Sequence, residues 1–115
     1  MDNAGFWDAL DELIGQSALI IDRPKGSAHP RYGFVYDVDY GYLENSASMD
    51  GGAIDVWRGT DDKQVCDAVI CTVDLVKRDS EIKLLIGCTE AEKTLILRFH
   101  NESDGMKGFL LRREN

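Results

Sequence analysis

Apolar positions along the chain change between helical and strand spacing. Residues 3–15 carry apolar side chains at the intervals of an amphipathic helix, and Gly15 is a natural end for it. The apolar stripe, which includes Phe6 and Trp7, indicates core packing, with a homodimer seam as the alternative. Short apolar runs of strand length follow at 18–22, 33–36, 40–43 and 54–57.

The second half of the chain predicts three further strands and a second helix. Residues 66–75 are apolar on both faces of a strand, which favours a barrel or a well-covered sheet. Residues 89–92 form a capping box that opens a helix to about Phe99. Strands are predicted at 82–88 and, as the closing strand, at 106–112. Residues 1–115 are therefore expected to form one α+β domain with a strongly curved antiparallel sheet and a helix near each end.

Charge narrows the range of partners. The formal net charge of −8 opposes nucleic acid or an anionic membrane as the general partner. A small phosphate-containing substrate would have to arrive as its metal complex. The acidic start of the chain is unlike a signal peptide, and no apolar run has membrane-spanning length, which predicts a cytoplasmic protein.

The cysteines and histidines point away from a zinc site. Cys66, Cys71 and Cys88 form no CxxC pair, and we expect them to be reduced thiols. His29 is interpreted as a surface histidine, with a place at the mouth of a site as the alternative. His100 is predicted at the end of the second helix, where a cation is favourable.

Carboxylates and phenols are concentrated in residues 36–42 and 50–55. Asp50 precedes a Gly-Gly pair, and a tight turn there would bring it toward Asp55 so that both carboxylates face one cation. Such hard oxygen ligands suit Mg²⁺ or Mn²⁺. The alternatives are an ordinary turn at the glycines and a half-buried strand at the tyrosines.

Four motifs occur in order: residues 22–27, Tyr36-x-x-x-Tyr40-Gly41-Tyr42, Asp50-Gly51-x-x-x-Asp55 and, more weakly, residues 79–83. In these motifs the chain resembles the soluble Mg²⁺-dependent inorganic pyrophosphatases, especially a short bacterial branch. The resemblance implies a five-stranded barrel related to the OB fold, with the site at its mouth. It implies Mg²⁺, or alternatively Mn²⁺, as the cofactor and the hydrolysis of pyrophosphate to phosphate as the reaction.

The resemblance also implies three overlapping sets of site residues. The metal ligands would be Asp22, Asp50, Asp55 and Glu81, with Asp79 as the alternative to Glu81. The substrate-binding side chains would be Lys25, Arg31, Tyr36 and Lys83. The catalytic residues would be Asp50, Asp55 and Tyr40.

Departures from the family pattern leave two functions open. Gly52 stands where the family has a central acid that bridges metals, and the hairpin between Arg31 and Tyr36 is shorter than in full-length members. Asp37 and Asp39 either supply replacement ligands or change the site. The chain is thus expected to be an inorganic pyrophosphatase or, alternatively, a non-catalytic module that binds metal and phosphate on the same barrel.

Overall fold

Residues 3–114, which the computed structural model describes, form two α-helices and six β-strands. In chain order these are α1 (Ala4–Gly15), β1 (Leu19–Arg23), β2 (Asp39–Leu43), β3 (Ile54–Arg58), β4 (Cys66–Asp74), β5 (Asp79–Ile86), α2 (Glu90–Asn101) and β6 (Met106–Arg112). The α+β class predicted from the sequence is confirmed. Neither helix combines the length and the apolar character that a membrane span requires.

The six strands form one mixed, open sheet in the order β1-β2-β3-β5-β4-β6. The β3–β5 pair is parallel, and the other neighbouring strands are antiparallel. The prediction of a closed five-stranded barrel is wrong. The last strand does not close the sheet onto β1, because it pairs along β4 from Ala68↔Arg112 to Asp74↔Met106. Strands β1 and β6 are therefore opposite edges, each with one neighbour among the described residues.

Each face of the sheet is covered by one helix. On one face Trp7 of α1 packs in a buried cluster with Val56 and Leu84. On the other face Ile96 of α2 belongs to a cluster that contains Trp57. Successive side chains of a strand point to opposite faces, so a strand buried on both sides is apolar throughout. This arrangement accounts for the long apolar run of β4 as part of a well-covered sheet.

The start of α2 is built as the sequence predicts. The Thr89 hydroxyl accepts a hydrogen bond from the backbone N–H of Glu92 at 3.2 Å, and the Glu92 carboxylate accepts one from the N–H of Thr89 at 2.8 Å. The same carboxylate accepts a hydrogen bond from the N–H of Thr60 at 3.1 Å, which ties the β3–β4 loop to the helix. The capping box thus satisfies the N-terminus of α2 and also holds the helix against the β3–β4 loop.

Residues 24–38 form an irregular hairpin, which we call the 24–38 hairpin. The strand predicted at 33–36 is reduced to a single antiparallel bridge between Ala28 and Val35. Backbone hydrogen bonds from Gly26 to Tyr36 and from His29 to Phe34, both 2.8 Å, hold its two arms together. This hairpin lies over the face of the sheet that α2 covers, which we call the inner face. There Tyr36 joins the cluster around Trp57.

Gly41 is a point of close approach between β1 and β2. It pairs with Ile21, and a Cβ at this position would collide with the Ile20 carbonyl, a backbone group that cannot rotate away. We expect Gly41→Ala to lower the free energy of unfolding by about 1–3 kcal/mol, as overpacking does. Urea denaturation measures this change.

Gly5→Ala is the matched control. Gly5 lies in α1 with nothing within 4 Å of an added Cβ, so this variant is expected to be unchanged or slightly stabilised. An equal loss of stability in both variants would contradict the close approach at Gly41.

Candidate functional site

A cavity of about 680 Å³ opens on the inner face of the sheet, between the 24–38 hairpin and the end of α2. Its polar lining includes the carboxylates of Asp22, Asp50, Asp55, Asp74 and Glu81 and the cations Arg23, Lys77 and Lys83. Its aromatic lining consists of His29, Tyr32, Phe34, Tyr36, Tyr40, Tyr42, Phe99 and His100. The volume is within the range of small-molecule sites, which is roughly 300–1,000 Å³.

Strand alternation explains why these side chains face one space. Glu81 and Lys83 are two residues apart on β5 and therefore share a face of the sheet. Tyr42 of β2 is directly opposite Asp55 of β3. The parallel pairing of β3 with β5 then brings Asp55 beside Lys83. Strands β2, β3 and β5 thus each contribute a polar group to the floor of the cavity, although β4 separates β5 from the other two along the chain.

Lys83 is the centre of this polar floor. Its ammonium Nζ lies 2.7 Å from Asp55 Oδ2, 3.0 Å from Glu81 Oε2 and 3.0 Å from Tyr40 Oη. Its side chain is 7% exposed, so these partners satisfy a charge that water scarcely reaches. Burial alone would lower the pKa of Lys83, but Tyr40 and Asp55 outweigh burial and hold that pKa above its ordinary value. Burial also raises the pKa of Tyr40, which stays a neutral phenol.

Asp50 is held by its own turn. Its Oδ1 accepts hydrogen bonds from the Ser48 hydroxyl at 2.7 Å and from the Gly52 N–H at 2.9 Å. These two bonds lower the pKa of Asp50 to about 2, so its carboxylate remains ionised under all ordinary conditions. Burial, in contrast, raises the pKa of Glu81 despite the nearby Lys83.

Asp50, Asp79 and Glu81 form the carboxylate trio of the site. One ligand oxygen from each of the three lies within 4.8 Å of the others. Asp79 and Glu81 point to the same side of β5, and the turn of residues 48–52 brings Asp50 to them. Three hard oxygen donors grouped in this way could hold a divalent cation such as Mg²⁺ or Mn²⁺.

The structure brings most of the predicted site residues together. The seven that line the cavity are Asp22, Tyr36, Tyr40, Asp50, Asp55, Glu81 and Lys83. Asp79 and Glu81, which the sequence offered as alternatives, both belong to the carboxylate trio. Asp55 is outside that trio and pairs with Lys83 instead, so Asp50 and Asp55 face different partners.

Lys25 and Arg31, predicted to bind phosphate, are not among the residues that line the cavity. Both are exposed, and the guanidinium of Arg31 lies 5.5 Å from the centre of the Tyr32 ring. The backbone N–H of Lys25 donates to Asp39 Oδ1 at 2.8 Å. Neither side chain therefore forms part of the lining around Lys83.

Asp37 and Asp39 both lie outside the carboxylate trio. Asp39 accepts hydrogen bonds from the Lys25 N–H and, at 3.1 Å, from the Arg58 guanidinium. These contacts lower the pKa of Asp39 and give it a structural role at the base of the 24–38 hairpin. Asp37 is exposed and belongs neither to the cavity lining nor to the carboxylate trio.

The interpretation of the two histidines holds only in part: His100 does lie in the last turn of α2, as predicted, but not as an exposed cation. His29 lines the cavity, as the alternative placed it. His100 is 3% exposed, and its Nε2 accepts a hydrogen bond from Trp57 Nε1 at 3.1 Å. Burial, with a contribution from the charge of Lys83, lowers the pKa of His100 to about 3. The prediction of a cation at this helix end is wrong, because the imidazole is neutral and buried.

Several cavity residues carry no signal in the sequence. Lys77 lies in an ordinary charged turn, and Ser48, which positions Asp50 but is not part of the cavity lining, lies in a polar loop. Tyr32 and Phe34 alternate with Tyr36 in the sequence, which is the one local pattern that could have placed all three on one side.

No family model and no curated protein matches this chain.

Replacing His100 tests its neutral, buried state. Between the ordinary pKa of 6.5 and the folded value of about 3, the unfolded chain binds more protons than the folded chain. The free energy of unfolding therefore decreases as the pH is lowered through that window. The variant His100→Gln keeps an acceptor for Trp57 but has no such titration. From about pH 7.5 to about pH 5, the native protein should lose about 1–2 kcal/mol more than the variant. Urea denaturation at each pH measures the difference, and equal losses would rule out a neutral His100.

Replacing Lys83 tests the polar floor. Lys83→Gln leaves Asp55 and Glu81 partly buried without their counter-charge, so we expect a loss of about 2–4 kcal/mol near neutral pH. Without the ammonium, which now opposes the effect of burial, the pKa of Glu81 should be raised further in the folded state, so the loss should shrink as the pH falls. Lys63→Gln, in an exposed loop, is the control and should change stability by less than about 0.5 kcal/mol. Similar urea midpoints for the two variants would contradict this role.

Proposed function

We propose that this protein binds a divalent cation and a phosphoanhydride in the cavity and hydrolyses inorganic pyrophosphate to phosphate. The observation that carries the proposal is the carboxylate trio in the same polar site as Lys83. Ligand oxygens of Asp50, Asp79 and Glu81 lie within 4.8 Å of one another. Glu81 also contacts Lys83 at 3.0 Å, so a cation-binding group and a phosphate-binding group are adjacent.

Each group has a role that suits its protonation state. The carboxylate trio would hold Mg²⁺ or Mn²⁺, which lowers the pKa of bound water and neutralises charge on phosphate. Lys83 is cationic and would bind a phosphate oxygen in place of one of its three present acceptors, while the neutral phenol of Tyr40 can donate a hydrogen bond to another oxygen. Asp55 would accept the proton of the attacking water, because Lys83 holds its carboxylate at the cavity floor.

Charge in the cavity favours a substrate that arrives with its metal. Five carboxylates line the space against three cations, so a free polyanion would be repelled. A metal–pyrophosphate complex brings positive charge to the carboxylates and oxygens to Lys83, Arg23 and Lys77. The acidic net charge of the whole chain supports the same conclusion.

A non-catalytic module that binds metal and phosphate is the second candidate. Gly52 supplies no central acid, and Asp37 and Asp39 lie outside the carboxylate trio. Lys25 and Arg31 are outside the cavity lining, which leaves fewer cations for the phosphates. These departures weaken catalysis more than they weaken binding, because binding needs only the carboxylate trio and Lys83.

Phosphate release from pyrophosphate, with Mg²⁺ or Mn²⁺, tests the hydrolase. We expect release by the native protein that depends on the metal and falls about 100-fold or more in Asp55→Asn, the loss of a general base. Asp62→Asn changes an exposed carboxylate outside the cavity and should leave the rate unchanged. Circular dichroism checks that both variants are folded. Undiminished release by Asp55→Asn would remove Asp55 from the mechanism.

Gly52→Asp distinguishes the two candidates. Gly52 lacks the left-handed φ of Gly51, and the nearest atoms to an added Cβ belong to the Asp50 side chain, with Oδ1 at 3.2 Å, so an acid there requires a small shift of that side chain. If the native protein only binds, calorimetry should detect pyrophosphate binding that requires Mg²⁺ without phosphate release, and Gly52→Asp should gain turnover. Rapid release by the native protein would exclude the binding module.

A further inference from the structure

The end of the cavity away from the carboxylate trio is aromatic. The 24–38 hairpin contributes His29, Tyr32 and Phe34, and the His29 ring centre lies 4.9 Å from each of the other two. The rings of Tyr32 and Phe34 are within 9° of parallel. Phe34 also meets Phe99 at 5.0 Å, whereas Tyr32, beside His29 and the Arg31 guanidinium, remains 63% exposed.

A continuous series of rings leads from this end to the polar floor. Phe34 and Tyr36 have ring centres 5.3 Å apart, and Tyr36 stacks on Tyr40 at the same separation. The hydroxyl of Tyr40 lies 3.0 Å from Lys83 Nζ. One cavity therefore joins an apolar planar surface to a site for anions and cations.

The aromatic end is bordered by cations and has a neutral histidine. Nδ1 of His29 accepts hydrogen bonds from the N–H groups of Arg31 and Tyr32, at 3.0 and 3.1 Å. Burial and the nearby charges of Arg23, Lys77 and Arg31 lower the pKa of His29, so its ring is neutral near pH 7. Neutral rings stack on other aromatic systems, so this end of the cavity suits the planar base of a ligand.

The size of the cavity also exceeds what pyrophosphate requires. About 680 Å³ is enough for a drug-sized ligand, whereas the pyrophosphate ion is much smaller and wholly polar. Pyrophosphate would occupy only the end near Lys83 and would leave the aromatic end without a ligand.

From this juxtaposition we propose that the phosphoanhydride hydrolysed here is a nucleoside diphosphate or triphosphate, with its base on Tyr32 and its terminal phosphates at Lys83. The inference rests on the proposed function and names its substrate class. The oxygen of a water bonds to the terminal phosphorus, and the bond from that phosphorus to the bridging oxygen breaks. The products are orthophosphate and the shortened nucleotide, and one proton passes through Asp55 to solvent.

A matched pair of non-hydrolysable ligands tests the inference. Methylene diphosphonate and α,β-methylene-ADP share a phosphonate core and differ by the nucleoside. With Mg²⁺ present, calorimetry should give an affinity for the nucleotide about tenfold or more above that for the diphosphonate, the scale of one stacked base. Tyr32→Ala should remove most of this difference, whereas Tyr32→Phe should keep it.

Phe109→Ala is the matched control, because Phe109 is 66% exposed and lies outside the cavity lining. It should leave both affinities unchanged. Equal binding of the two ligands by the native protein would overturn the nucleotide inference and leave the proposed function standing. Equal losses in Tyr32→Phe and Tyr32→Ala would overturn stacking on the ring.

Phosphate release from Mg-ADP and Mg-ATP separates the remaining cases. Release that is faster than from pyrophosphate, and that slows in Tyr32→Ala, supports both the reaction and its substrate. Tight nucleotide binding without any release supports the ligand class and overturns hydrolysis. Absence of Mg²⁺-dependent binding for both non-hydrolysable ligands would overturn the proposed function and this inference with it.

Discussion

The buried ammonium of Lys83 is the charge on which the arrangement of the inner sheet face depends. Asp55 and Glu81 lie on adjacent parallel strands, and without a cation between them their repulsion in a partly buried position would oppose that pairing. Lys83 contacts both carboxylates and the phenol of Tyr40, so strands β2, β3 and β5 each supply a partner. The contacts that neutralise the carboxylates of the site are therefore the same contacts that link these three strands.

The cavity has two chemically different ends because two kinds of element build it. Regular strands carry the carboxylates and Lys83, and their alternation sets the spacing of these groups. The 24–38 hairpin carries aromatic side chains and is held by a few backbone hydrogen bonds and by Asp39. Charged groups on regular strands below an aromatic wall on a loop would suit the proposed ligand, which has both a planar base and phosphates.

Local pattern predicted the elements well and their arrangement poorly. The bounds of β2, β3 and β6, and the capping box of α2, follow from periodicity and from side chains a few residues apart. The barrel was wrong because closure depends on which strands become neighbours. The parallel β3–β5 pair and the placement of β6 on β4 join segments far apart in the chain, where periodicity carries no information.

Many residues of the site could likewise be identified from local pattern, whereas their contacts with one another could not. By itself, the sequence determined which residue types were available: carboxylates near a Gly-Gly turn, tyrosines at strand spacing, and Asp79, Glu81 and Lys83 within five residues of the chain. Only the tertiary structure decided that Asp50 joins Asp79 and Glu81 while Asp55 pairs with Lys83. The physical reason is that these contacts, and the burial that keeps His100 neutral, depend on strand pairing and desolvation, which no local spacing encodes.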